Sequence, residues 1–229
     1  KDFESYKLKI LRRMNHEPIA HITGQKDFWK NTFFVSKDTL IPRPDSEALI
    51  ESVLKYLPQD ENFNFLDLGT GSGCLIISIL EEFRNSQGTG IDISKNAISI
   101  ANRNKKNINN DLNLSFIVHD FFTYDTKGFD IIICNPPYVP KNELNEITEE
   151  VINFEPHLAL FPKKGTKDCY GKIIRNIKLT NNKNCYVFFE IDYRDHVLVS
   201  NILKDNDFSV LAVENDLTNR PRCIVAKMN

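Results

Sequence analysis

Residues 135–138 read Asn-Pro-Pro-Tyr and follow the apolar run Phe-Asp-Ile-Ile-Ile-Cys at 129–134. Each proline fixes its own φ and pushes the preceding residue towards an extended conformation. Prolines also lack an N–H, so nearby carbonyls are left pointing out as acceptors. Asn135 adds a side-chain acceptor and Tyr138 a flat ring. A strand ending in this cup suits a planar –NH2 group, with carbonyls taking its hydrogens and the ring covering one face. Asn-Pro alone would read as an ordinary turn. The quartet after a buried strand reads as a site.

A second constellation lies upstream. Residues 66–73 form a strand running into Gly69-Thr70-Gly71-Ser72-Gly73, and a helical pattern follows. Glycines let the backbone turn sharply and approach a ligand, with helix N–H groups nearby. Cys74 stands where the dinucleotide fingerprint needs a glycine, and no Lys-Ser/Thr follows for a Walker loop. Asp92 closes the next strand, where a carboxylate can accept from both ribose hydroxyls of a nucleoside. Asp120 and Phe121 end a third strand, where the acid can accept from an adenine amine and the ring can stack on the base. A capping acid and a solvated loop acid are the plainer roles for Asp92 and Asp120. All four features fall at carboxyl ends of strands, the edge where doubly wound sheets bind ligands. The ligand they describe is an adenosine with a carboxylate-bearing tail, which fits S-adenosylmethionine.

The elements that must position these residues follow from periodicity. Strands are expected at 63–68, 88–93, 114–119, 129–134, 185–191, 208–214 and 223–227, and helices at 74–83, 94–106, 170–179 and 195–203. The expected fold is α/β: a doubly wound, mostly parallel seven-stranded sheet whose last two strands form an antiparallel edge hairpin. Upstream, 3–15 reads as the end of a helix. Residues 16–41 read as a β-hairpin with strand-like runs at 21–23, 27–29 and 32–35. Residues 47–57 read as a helix capped by Asp45 or Ser46 and ended by Pro58.

Bulk properties set limits. With 29 basic and 31 acidic residues among 229, the chain has no bulk charge to grip nucleic acid. Five scattered cysteines (Cys74, Cys134, Cys169, Cys185 and Cys223) show no metal-ligand spacing, and they fit a reduced, cytoplasmic setting better than a disulfide framework. No apolar run approaches the ~18 residues that span a bilayer.

Taken together, the glycine turn, Asp92, Asp120 and Asn135-Pro-Pro-Tyr138 resemble class I S-adenosylmethionine-dependent methyltransferases, which have a Rossmann-like sheet. More narrowly, Glu-Pro-Ile-Ala-His-Ile-Thr-Gly at 17–24, Leu-Ile-Pro-Arg-Pro-Asp-Ser-Glu at 40–47 and Phe-Glu-Pro-His-Leu-Ala-Leu at 154–160 resemble the HemK/PrmC family. Its members methylate N5 of a glutamine in peptide chain release factors. The resemblance implies that Gly69–Gly73, Asp92, Phe121 and Asn135 bind the cofactor, and that Asn135, Pro136, Pro137 and Tyr138 hold the glutamine. It also implies three segments: 1–15, the end of a truncated helical docking domain; 16–58, a linking hairpin and helix; and 59–229, the methyltransferase domain. Two residues depart from the pattern: Phe121 stands where some relatives carry Trp, and Asp192 where Gly is common.

The expected chemistry needs no general base. Asn135 Oδ1 and the Pro136 carbonyl would accept both hydrogens of the substrate amide and hold its nitrogen towards the sulfonium methyl. Tyr138 would stack on the amide, and Phe33, Phe34 and Pro42 would wall the methylene stem. The partner is then a release factor, with no membrane and no direct nucleic-acid contact. The cup alone also fits an exocyclic base amine of DNA or RNA, and a non-catalytic binding module is the reading from another class.

Overall fold

A computed structural model describes residues 2–140, 147–181 and 184–229. The chain opens with α1 (Asp2–Met14) and α2 (Ile19–Thr23), followed by strands β1 (Gln25–Phe28) and β2 (Asn31–Phe34) and helix α3 (Glu47–Tyr56). Regular alternation then sets in: β3 (Asn64–Leu68), α4 (Cys74–Glu82), β4 (Gln87–Asp92), α5 (Lys95–Ile108), β5 (Leu114–Val118) and β6 (Ile131–Cys134). Two short helices, α6 (Glu149–Phe154) and α7 (His157–Leu160), precede α8 (Thr166–Thr180), β7 (Tyr186–Glu190), α9 (His196–Lys204), β8 (Phe208–Asn215) and β9 (Pro221–Met228).

Among the described residues seven strands form one sheet in the order β5-β4-β3-β6-β7-β9-β8. The first five run parallel, while β9 is antiparallel to both β7 and β8. The chain winds outward from β3 through β4 to β5, then returns to place β6 on the other side of β3. That reversal opens a crevice between the carboxyl ends of β3 and β6. The expected seven-stranded doubly wound sheet with an antiparallel edge is therefore present.

Both faces of the sheet are covered, which is why its central strands read as continuous apolar runs. Leu66, Leu68, Ile132 and Val187 point to one face, where Ile173 and Ile177 of α8 and Val199 and Leu203 of α9 pack. Phe65, Ile131, Ile133 and Phe188 point to the other, against Leu49 and Val53 of α3 and Ile76 and Leu80 of α4. Phe28 and Phe33 of the β1–β2 hairpin join this second core, so the hairpin is seated on the sheet domain. Trp29 in the hairpin turn donates from its indole to Glu82 at 2.8 Å and from its backbone N–H to Glu47 at 2.9 Å.

Two local expectations change. Residues 21–23 are helical: the N–H groups of His21 and Ile22 both reach the Pro18 carbonyl, Thr23 Oγ1 donates back to Ile19, and Gly24 ends the turn at φ 75°. A proline-started turn and a left-handed glycine stop outweigh the β-branched run. Neither Asp45 nor Ser46 caps α3 with its side chain. Both lie in a 3-10 turn, where Asp45 meets Arg222 at 3.3 Å and Ser46 meets Asn135. Asp192 sits at an ordinary φ of −66° and accepts from the Arg194 N–H, so its turn needs no glycine.

Candidate functional site

The crevice holds a cavity of about 220 Å³ lined by Gly69, Thr70, Gly71, Ser72, Asp92, Phe121, Asn135, Pro137 and Pro42. The glycine turn after β3, the acid ending β4 and the asparagine after β6 thus meet from three strands. An adjoining hollow of about 280 Å³ shares Ile93, Phe121, Pro137 and Leu158 with it and adds Asp120.

The glycine turn is clamped to the neighbouring strand, since the N–H groups of Gly69 and Thr70 both donate to the Ile91 carbonyl at 2.9 and 2.8 Å. Gly69 sits at φ 80°, where L side chains are strained, and an added Cβ would lie 3.5 Å from the Phe121 ring. Thr70 and Ser72 are buried, and Thr70 Oγ1 donates to Asp67 Oδ2 at 2.6 Å. Asp67 Oδ1 is buried without a partner. Burial first, opposed by the Thr70 hydrogen bond and helped by the nearby Asp92, lifts the Asp67 pKa to about 7.

Asp92 serves the backbone and the cavity together. Its Oδ2 accepts from the Gly71 N–H at 3.0 Å and its Oδ1 from the Ser94 N–H at 2.9 Å, while Ser94 Oγ caps α5 at Ala97. Partial burial raises its pKa, opposed by the bonds from Ser94 and Gly71. Each carboxylate oxygen keeps a second lone pair for a ligand hydroxyl. Asp120 Oδ1 accepts from the Phe122 N–H at 2.9 Å, closing a local turn at the second hollow.

Asn135 lines the first cavity, and its Nδ2 donates to Ser46 Oγ at 3.4 Å. Among the described residues its Oδ1 has no partner. Pro137 lines the cavity too, while Pro136 and Tyr138 depart from expectation. Pro136 is buried and lies outside the cavity wall. Tyr138 is also outside it: the ring packs on the core and the hydroxyl donates to Glu190 Oε1 at 3.1 Å. Phe33 is fully buried against Phe28, and the Phe34 ring lies 3.6 Å from the Arg103 guanidinium, so neither walls the cavity. Period-2 alternation turns Phe33 into the core and Phe34 towards α5. Pro42 does line the cavity.

Phe34 matters through its backbone. Asn104, buried in α5, accepts from the Phe34 N–H at 2.7 Å and donates to the carbonyls of Phe34 at 3.0 Å and Ser72 at 2.8 Å. It stitches the hairpin to the glycine turn, and the sequence signalled it only as a polar residue on the buried side of a helix. Glu155 was missed as well. It accepts from the Ile41 N–H at 3.0 Å and pairs with Arg43, joining two segments that line the mouth.

Residues 59–190 match a family model described as a methyltransferase domain. Along 97% of its length the chain is 34% identical to the release factor glutamine methyltransferase of Koribacter versatilis, covering 79% of that protein. The chain belongs to the release factor glutamine methyltransferase family. It is also 36% identical, along 97% of its length, to the bifunctional methyltransferase of Rickettsia bellii. The chain spans about half the length of that relative, 45%. Among solved structures, the ribosomal protein L11 methylase of Lactobacillus delbrueckii subsp. bulgaricus superposes with a TM-score of 0.59 at 17% identity, covering 89% of this chain and 91% of that one. That likeness shows the fold. Membership of a methyltransferase family supports S-adenosylmethionine as the cofactor, and the residues fit it: an acid with spare lone pairs, a glycine cradle and a ring at the slot. Among the described residues no helix is long and apolar enough to cross a membrane.

Proposed function

We propose that the protein methylates the side-chain amide nitrogen of a glutamine in a peptide chain release factor, with S-adenosylmethionine as cofactor. The observation that carries this reading is Asn135 at the crevice, its nitrogen engaged by Ser46 and its Oδ1 without a partner, beside the glycine turn and Asp92. The names borne by relatives at 34–36% identity support the amide over a base amine.

S-adenosylmethionine supplies an activated methyl group. The chain's own residues bind and orient. Asp92 would accept the ribose hydroxyls, the glycine turn would seat the tail, and Asp120 and Phe121 would hold the adenine. An amide nitrogen is a weak nucleophile because its lone pair is delocalised into the carbonyl. Asn135 Oδ1 accepts one of its hydrogens, orients it and favours the more localised lone pair. Pro137 and Pro42 exclude water, and Tyr138 supports the loop from behind. The release factor is the partner and the cytoplasm the place of action.

Labelled methyl groups offered with release factor, tRNA, rRNA and DNA side by side test this. Mass spectrometry is expected to find one added methyl on a single glutamine of the release factor, lost when that glutamine becomes Asn. Label in nucleic acid with the release factor untouched overturns the proposal.

A further inference from the structure

The two hollows of the crevice meet at a waist formed by the residues they share, Ile93, Phe121, Pro137 and Leu158. The first three follow β4, β5 and β6 closely, so the sheet edge fixes them. Leu158 comes from outside the sheet, on α7. It is an apolar residue left 50% exposed at the narrowest part of the slot. The chain around it runs along both hollows, with Pro156 and Ala159 at the first and Phe161 and Pro162 at the second.

This strap is tied down at its two ends. At one, Glu155 accepts from the Ile41 N–H at 3.0 Å and pairs with Arg43. At the other, the Leu160 carbonyl accepts from the Val139 N–H at 3.0 Å, and Leu160 and Phe161 are buried outside the two cores of the sheet. The hydrogen bonds of its middle are local, from the Ala159 N–H to Pro156 and between the His157 ring and the Ile152 carbonyl. A nucleoside with its ribose at Asp92 and its adenine at Asp120 spans both hollows and passes through the waist. We infer that Leu158 is a cofactor-binding residue carried by a lid: it closes over the bound nucleoside, and the Glu155 tie is the latch that opens to release it. An exposed leucine gains an apolar partner only when the slot is filled, so the ligand itself favours closure. The latch is a largely buried ion pair, which keeps opening infrequent and exchange slow.

This inference rests on S-adenosylmethionine as the cofactor and not on which amide or amine accepts the methyl group. The test follows S-adenosylhomocysteine, the demethylated product, as labelled compound is chased from the protein by unlabelled excess. Leu158→Ala is expected to speed dissociation about tenfold or more, because an apolar contact with the nucleoside is lost. Leu158→Met nearly conserves volume and should stay within about twofold of wild type. Without ligand, the thermal midpoint of Leu158→Ala should move by less than about 2 °C, since a half-exposed leucine holds little of the fold. Glu155→Gln loosens the latch and is expected to speed entry and exit alike, about threefold or more each, with the dissociation constant within about threefold of wild type. Wild-type exit from Leu158→Ala overturns the inference. A Glu155→Gln protein in which exit alone is faster also overturns it, because the strap is then a fixed wall. Where Glu155→Gln does not fold, Arg43→Gln loosens the same latch and is read in the same way. Failure of the wild type to bind S-adenosylhomocysteine overturns the cofactor and this inference together, whereas methyl transfer to a base amine overturns only the proposed substrate.

Discussion

Arg43 and Glu155 form an ion pair across the mouth of the cavity, joining the segment before α3 to the turn between α6 and α7. The Glu155 side chain is 1% exposed and that of Arg43 34%. Removing the cation strands a buried carboxylate. Arg43→Ala is expected to cost about 3 kcal/mol, the low end for a broken buried pair because Arg43 is partly solvated. Urea unfolding checks this, and a change below about 0.5 kcal/mol would show that the pair is solvated and inert.

Asp92→Ala removes the acceptor for the Gly71 and Ser94 N–H groups and for the ligand hydroxyls together. Affinity for S-adenosylmethionine is expected to fall about 30-fold, the equivalent of about 2 kcal/mol. Calorimetry giving wild-type affinity would take Asp92 out of the site.

Asn135→Ala acts on turnover. The loss of an oriented acceptor at the reacting nitrogen is expected to lower kcat about 100-fold or more. Cofactor affinity should stay within a few-fold of wild type, because Asn135 acts on the acceptor. Retained turnover on the release factor would refute the amide cup.

Asp216 links stability to pH. Burial alone would raise its pKa, but bonds from the Thr218 side chain, the Arg220 N–H and Arg222 outweigh it and bring it to about 2, below the ordinary 3.8. The sign follows: a depressed acid adds stability that is fully present above pH 4 and is lost as the pH falls towards 2. Asp216→Asn is expected to lower stability at neutral pH and to flatten its fall in that window. Thermal midpoints across the range read it, and an unchanged slope refutes the assignment.

The sheet was legible because its strands are long apolar runs punctuated by Gly69, Gly71 and Gly73 and by Asn135-Pro-Pro-Tyr138, all at one edge. Periodicity reports which residues are inside, and the strand ends follow from it. What escaped was side-chain direction across distant segments. Nothing local says that Tyr138 turns to Glu190, 52 residues on, or that Phe34 turns from the cavity to Arg103. Residues 21–23 misled because their β-branched members suited a strand, while Pro18 and Gly24, outside that run, decided for a helix. Buried polar links such as Asn104 and Glu155 carry no sequence period at all.

Asn104 holds the hairpin and the glycine turn with one amide, donating to Phe34 and Ser72 alike. The two surfaces therefore share a thermodynamic account. If a protein seated on the hairpin alters the grip on the nucleoside side, then occupancy of the nucleoside side must alter the grip on that protein by the same factor. The order in which the two arrive cannot change that factor. One amide in α5 is thus the place where docking and loading can be made to agree.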